Sequence, residues 1–154
     1  MPKCYERGSN NKVNALSTHL QEKEEKILQV LECLAEESTK GTPIIVEGKN
    51  DIEALRALGV EGKIISAKTG GKSILDVISE VEKCTAKEVI MLLDFDRRGK
   101  EWTKRLKQNL ENAKTKIDLT FWSRLLALVG TEVKDIEGLA TYMETLKRKT
   151  RNFT

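Results

Sequence analysis

Val89-Ile90-Met91-Leu92-Leu93-Asp94-Phe95-Asp96 is the stretch that decides the fold. Five consecutive uncharged apolar residues, Val89 to Leu93, suit a central strand covered on both faces, because a strand with one wet face alternates apolar and polar residues instead. The run then meets two carboxylates. Along an extended chain residues i and i+2 point the same way, so Asp94 and Asp96 are expected to face the cleft beyond the strand, with Phe95 turned away. Open α/β sheets bind their ligands in that cleft, beyond the carboxyl ends of the strands.

Working outward, the same alternation of short apolar runs and helical segments recurs, which predicts a mainly parallel sheet of about four strands with helices on both faces. Pro43-Ile44-Ile45-Val46-Glu47 is the first strand, and a helix over 51–58 follows, with Asn50 as its N-cap and Gly59 as its stop. Lys63-Ile64-Ile65-Ser66 is the second strand. A Gly-rich loop leads from it into a helix with Ile74, Ile78 and Val81 on one stripe. After the third strand, Trp102, Leu106, Leu110 and Ala113 mark the apolar face of another helix, and Lys116 to Leu119 forms a weaker fourth strand. Helices over 121–129 and 135–148 close the pattern, the second with Ile136, Leu139, Met143 and Leu146 facing inward. Before all this, residues 13–39 carry Leu16, Leu20, Ile27, Leu31 and Leu34 at helical spacing, with Gly41-Thr42-Pro43 as the stop. The expected organisation is a flexible tail over 1–12, an amphipathic helical segment over 13–41, an α/β domain over 42–148 and a basic tail over 149–154.

Composition narrows the chemistry. The chain has 154 residues, enough for one domain with a real core, and its 27 basic against 24 acidic residues leave a net charge of only +3. No apolar run approaches the ~18 residues of a membrane span, and the start Met1 to Arg7 lacks the apolar core of a secretory signal, so a cytoplasmic protein without a membrane partner is expected. Cys4, Cys33 and Cys84 are odd in number and without a C-x-x-C, which points to reduced thiols and away from a zinc site or disulfide framework. With His19 as the single histidine, a His-rich metal site is excluded, and the available reactive groups are carboxylates, lysines and backbone.

Asp94 and Asp96 offer hard oxygen ligands suited to Mg²⁺ or Mn²⁺, which take their remaining ligands from water and phosphate. Standing alone, the pair is equally explained by capping of the next helix. It does not stand alone, since Glu47-Gly48 ends the first strand in the same manner. If the two strands are neighbours, Glu47 can serve as a further metal ligand or as general acid or base. Basic charge is concentrated next to these acids: from Arg97 to Lys116 there are eight basic and two acidic residues, a local net of +6.

The segments Val46-Glu47-Gly48-Lys49-Asn50-Asp51 and Leu92-Leu93-Asp94-Phe95-Asp96-Arg97-Arg98-Gly99 resemble the Toprim domain. That domain is the metal-binding module of type IA and type II topoisomerases, bacterial primases, the overcoming-lysogenization-defect nucleases and the ribonuclease that matures 5S ribosomal RNA. Its hallmarks are a strand ending in Glu-Gly, an acid a few residues on, and a later strand ending in Asp-x-Asp. The match covers about residues 43–146, and the chain looks like the small stand-alone members of the family. The resemblance implies a three-layer, Rossmann-like α/β fold with an extra N-terminal helix. It also implies Glu47 as general acid or base and metal ligand, Asp94 and Asp96 as Mg²⁺ ligands, and Asp51 as an additional candidate. Phe95 and Lys100 stand where a small residue or proline and an acid are frequent in the family, which loosens the transfer of any particular activity.

The implied partners are RNA or DNA, free or within a nucleic-acid-processing protein complex. Lys49, Lys68, Lys72, Arg97, Arg98 and Lys100 are the candidate phosphate contacts. Tyr5 and Tyr142 are the only tyrosines and there is no room for a topoisomerase's second domain, so the expected activity is a metal-dependent nuclease or other phosphodiester transfer. A non-catalytic nucleic-acid-binding module is the alternative. A second alternative is a nucleotide hydrolase: Ser66-Ala67-Lys68-Thr69-Gly70-Gly71-Lys72-Ser73 matches a phosphate-binding P-loop except for its first glycine. Asp94-Phe95-Asp96 also has the look of an aspartyl phosphatase motif, into which Arg97-Arg98 fits poorly. Trp102, Phe121 and Trp122 are read as core residues before base-stacking ones, and Asp135 and Glu137 as helix-start acids before ligands.

Overall fold

Alternate side chains of the strands enter two separate cores, and this divides the molecule into three layers. Ile44, Val46, Ile64, Ile90 and Leu92 pack on one face of the sheet. Ile45, Ile65, Val89, Met91 and Leu93 pack on the other. The computed structural model describes residues 15–152. It contains α1 (Ala15–Thr39), β1 (Ile44–Val46), α2 (Lys49–Ala57), β2 (Ile64–Ser66), a 3₁₀ turn at Thr69–Gly71, α3 (Ile74–Lys83), β3 (Glu88–Leu92), α4 (Arg97–Asn112), β4 (Lys116–Asp118), α5 (Thr120–Val129) and α6 (Ile136–Asn152). The four strands lie in the order β2-β1-β3-β4, and every pairing is parallel.

The chain moves from β1 outward to β2, then crosses back to β3 on the other side of β1. Crossovers of one hand then require helices on opposite faces. Accordingly α2 lies with α1, α5 and α6 over the first core, and α3 and α4 cover the second. α1 buries Ile27, Val30, Leu31 and Leu34 there. It is tied at its edges by Lys23 Nζ to Glu132 Oε1 at 2.7 Å and by Thr150 Oγ1 to Glu24 Oε1 at 3.2 Å.

Several local expectations are adjusted. The β3 ladder closes at Leu92, one residue early, because the chain turns out of the sheet to reach α4. α2 begins at Lys49 with extended Gly48 as its cap, so Asn50 already lies inside the helix and Asp51 occupies the third helical position. Ala113 is the C-cap of α4 and exposed; the apolar stripe ends at Leu110. α6 continues to Asn152, so Lys149 and Arg151 belong to its last turn. Cys33 is disulfide-bonded and Cys84 is a free thiol, which corrects the expectation of reduced thiols for Cys33. The expected tail over 1–12 and the start of the first helix at 13 lie outside the described residues.

One close approach sets the exit from β3. Asp96 caps α4, its Oδ1 accepting from Gly99 N at 2.8 Å, and this folds the first turn back onto the strand end. A Cβ at Gly99 would collide with the Asp94 carbonyl. Gly99→Ala is expected to lower stability by about 1–3 kcal/mol through that overpacking, measured by urea unfolding.

Candidate metal centre

β1 and β3 are adjacent and in register, Ile44 beside Ile90, Ile45 beside Met91 and Val46 beside Leu92. Glu47 and Asp94 therefore leave the sheet side by side, where the strand order reverses direction. Glu47 is only 9% exposed, and both of its carboxylate oxygens are engaged. Oε2 accepts from the Asp94 backbone N–H at 3.0 Å, and Oε1 receives the Lys68 ammonium at 2.6 Å.

Asp51, 7% exposed, accepts from Gly48 N at 3.1 Å and from Glu137 N at 2.9 Å. The second bond reaches across 86 positions of sequence and docks the start of α6 on the start of α2. Asp135 caps α6 through Gly138 N at 2.6 Å. Asp51, Asp135 and Glu137 each place a carboxylate oxygen within 4.8 Å of the others. Burial, with the neighbouring Glu47, Asp51 and Asp135 charges, pushes the Asp94 carboxyl up to about 8. Burial also raises Asp51 above the ordinary carboxylate range, against its two backbone hydrogen bonds.

The structure thus gathers Glu47, Asp94 and Asp51, and adds Asp135 and Glu137, which the sequence presented as helix-start acids. Both readings hold for Asp135, which caps α6 and joins the cluster. The only signal of their second role was an acid-x-acid pair at a helix start; the packing of α6 on α2 was invisible. Asp96 is exposed, and its Oδ1 caps α4 at Gly99 N. A crowd of hard carboxylate oxygens at neighbouring strand and helix ends is a donor set that fits Mg²⁺ or Mn²⁺.

The candidate phosphate contacts divide into two groups. Lys49, Arg97, Arg98 and Lys100 are exposed at the starts of α2 and α4, both of which open from the strand ends that carry the acids; Arg97 is 94% exposed and only loosely paired with Glu101 at 3.6 Å. Lys68 and Lys72 are engaged. Lys72 donates to the Ser66 carbonyl at 2.9 Å and pairs with Glu80 at 2.6 Å. Ser73 caps α3, accepting from Asp76 N at 3.2 Å while Asp76 accepts from Ser73 N at 2.8 Å. Trp122 donates Nε1–H to the Leu93 carbonyl at 2.9 Å and lies 6.4 Å from the Phe95 ring, so it fastens α5 to the end of β3.

An all-parallel four-stranded sheet with carboxylates gathered at its point of reversal defines a Rossmann-like protein with an acidic, metal-type site. The Toprim domain model matches residues 42–122, and the chain belongs to the Toprim domain family. It is similar to a UPF0292 protein of Methanocaldococcus jannaschii, 39% identical over 77% of this chain and 91% of that one. A UPF0292 protein of Methanosarcina acetivorans is 36% identical over 82% of this chain and 85% of its own length. Among solved structures, a putative protein from Aquifex aeolicus superposes with a TM-score of 0.61 at 28% identity, covering 71% of this chain and 94% of that one. Membership of the family implies a metal-dependent function connected with nucleic acids, with Mg²⁺ generally bound by acidic residues. Among the described residues no helix is long and apolar enough to cross a membrane.

The raised Asp94 has a defined consequence for stability. The folded state retains a proton that the unfolded chain, at an ordinary aspartate value near 4, has released, so the contribution of Asp94 is fully present below about pH 4 and declines as pH rises to about 8. Without divalent cation, Asp94→Asn is expected to exceed the wild type in stability by a clearly larger margin at pH 8 than at pH 5. Urea unfolding at the two pH values checks this.

Proposed function

We propose that this protein is a Mg²⁺- or Mn²⁺-dependent nuclease or related phosphodiester-transfer enzyme acting in RNA or DNA processing. The observation that carries the reading is the convergence of Glu47 and Asp94 at neighbouring strand ends, within a carboxylate cluster and beside the basic start of α4. In this reading Asp94 and Asp96 hold the cation, with Glu47 contributing to the same shell and Asp51 supporting it; Asp135 and Glu137 belong to the acidic surroundings. When bound, the cation would supply charge neutralisation at a phosphate.

The chain's own residues supply the rest. Glu47 accepts or returns a proton at an oxygen of the phosphodiester, held in place by the Asp94 N–H. Lys49, Arg97, Arg98 and Lys100 bind the flanking phosphates from the starts of α2 and α4, with Lys68 and Lys72 behind them on the Gly-rich loop. A second reading, a non-catalytic phosphate clamp, is favoured by the engagement of both Glu47 oxygens. The nucleotide hydrolase is disfavoured by the commitments of Lys72 to Glu80 and of Ser73 to Asp76.

Incubation with labelled single- and double-stranded RNA and DNA, with and without Mg²⁺ or Mn²⁺, is the direct test. Cation-dependent cleavage is expected, lost by about 10²–10⁴-fold in Glu47→Gln while binding persists. Full cleavage in that variant would overturn the role of Glu47, and binding without cleavage in the wild type would leave the clamp. Metal titration of Asp94→Asn with Asp96→Asn should show the response lost, whereas tight ATP binding abolished by Lys72→Ala would favour the hydrolase.

The basic patch makes a separate, electrostatic prediction. Affinity for nucleic acid should fall steeply with salt, each neutralised phosphate adding about 0.7–0.9 to the log-log slope. Replacing Arg97 and Arg98 by Ala should flatten it by about 1.5. An unchanged slope in filter-binding measurements over a salt series would remove the start of α4 from the interface.

A further inference from the structure

Lys68 is coupled to Glu47 twice. Its backbone N–H donates to the Glu47 carbonyl at 3.1 Å, continuing the β1–β2 pairing past Ser66, and its ammonium lies 2.6 Å from Glu47 Oε1. It has a second neighbour: the ammonium stands 5.0 Å from the centroid of the Trp102 ring on α4, a ring that Arg105 also approaches at 6.0 Å. The Lys68 side chain is 31% exposed and Trp102 is half-buried against the second core, so solvent still reaches the pair. One flexible cation therefore has two stations, a carboxylate and an aromatic face, both within reach of its four-carbon stem.

The carboxylate station is the oxygen that Glu47 would offer to a divalent cation, since its other oxygen is held by the Asp94 N–H. We infer that Lys68 is a built-in counter-cation that occupies Glu47 Oε1 until a divalent cation takes it over, and that Trp102 then retains the displaced ammonium. Glu47 in this way keeps a positive partner in both states. Lys72, on the same loop, has no such role, because its ammonium is fixed between Glu80 and the Ser66 carbonyl. The inference rests on the proposed assignment of Glu47 to the metal site.

Titration of the full chain with Mg²⁺ alone at pH 8, followed by calorimetry and tryptophan emission, tests it. Lys68→Met is expected to bind Mg²⁺ about two- to five-fold more tightly than the wild type, the range a partly exposed ion pair can impose. Lys68→Arg should return affinity close to wild type, and Lys72→Met should change it much less. Emission should shift saturably with Mg²⁺ in the wild type and stay constant in Lys68→Met and in Trp102→Phe, because the shift reports the ammonium moving relative to that ring when it leaves Glu47. Equal affinity in Lys68→Met and wild type, equal tightening in Lys72→Met, or a constant emission in the wild type during calorimetric binding would overturn the inference. If Mg²⁺ binding is abolished by Asp94→Asn, those outcomes leave the metal site standing; absence of Mg²⁺ binding in the wild type overturns the site and the inference together.

Discussion

The parallel pairing of β1 with β3 is the constraint on which the rest of the molecule depends. A one-residue slip in that pairing would exchange the two faces of a strand and separate Glu47 from the Asp94 N–H. The register is held by side chains buried on both faces, Ile44 and Val46 against the α1-side core and Ile45 against the α3-side core. Because the chain departs from β1 in one direction and returns to β3 on its other side, no crossover helix covers the carboxyl ends of these two strands. The cleft is a product of topology before any functional residue is placed in it.

A cluster of carboxylates in such a place opposes folding unless other groups hold it. Backbone donors do most of this: the Asp94 N–H for Glu47, the Gly48 and Glu137 N–H groups for Asp51, and the Gly138 N–H for Asp135. Helix starts supply several of these donors, and their partial positive charge favours carboxylates there. Capping and site-building are consequently one set of interactions. The Asp51 bond to Glu137 N is the clearest case, since the contact that satisfies a buried carboxylate also docks α6 and brings Asp135 and Glu137 to the cluster.

The positive side chains follow a different rule. Those on α4 stand free of the sheet, as solvated charges do, whereas Lys68 is drawn into the cleft by Glu47 and Trp102. Sequence position alone ranked them together as phosphate contacts. What distinguishes them is whether a carboxylate or a ring lies within reach, and that is a property of packing.

Residue order by itself determined the strands, because Val89 to Leu93 and Ile44 to Val46 are apolar on both faces and only a sheet covered on both sides can bury them. It likewise determined the parallel α/β class and the placing of Glu47 and Asp94 at strand ends, with the Glu-Gly and Asp-x-Asp segments as their markers. Local chemistry was legible where one turn sufficed, as in the capping of the helix after Asp94-Phe95-Asp96, which Asp96 performs through Gly99 N. The beginning of α2 was misread by two residues because extended Gly48, not Asn50, caps the helix and Asp51 closes the cap from the third position. Tertiary structure alone decided that β1 and β3 are neighbours, that Asp135 and Glu137 join Asp51, and that Lys68 lies between Glu47 and Trp102. The physical reason is range: periodicity and capping act within a few residues, whereas these contacts close loops of about 20 to 90 positions, and only the burial of two cores selects which of the many closures is realised.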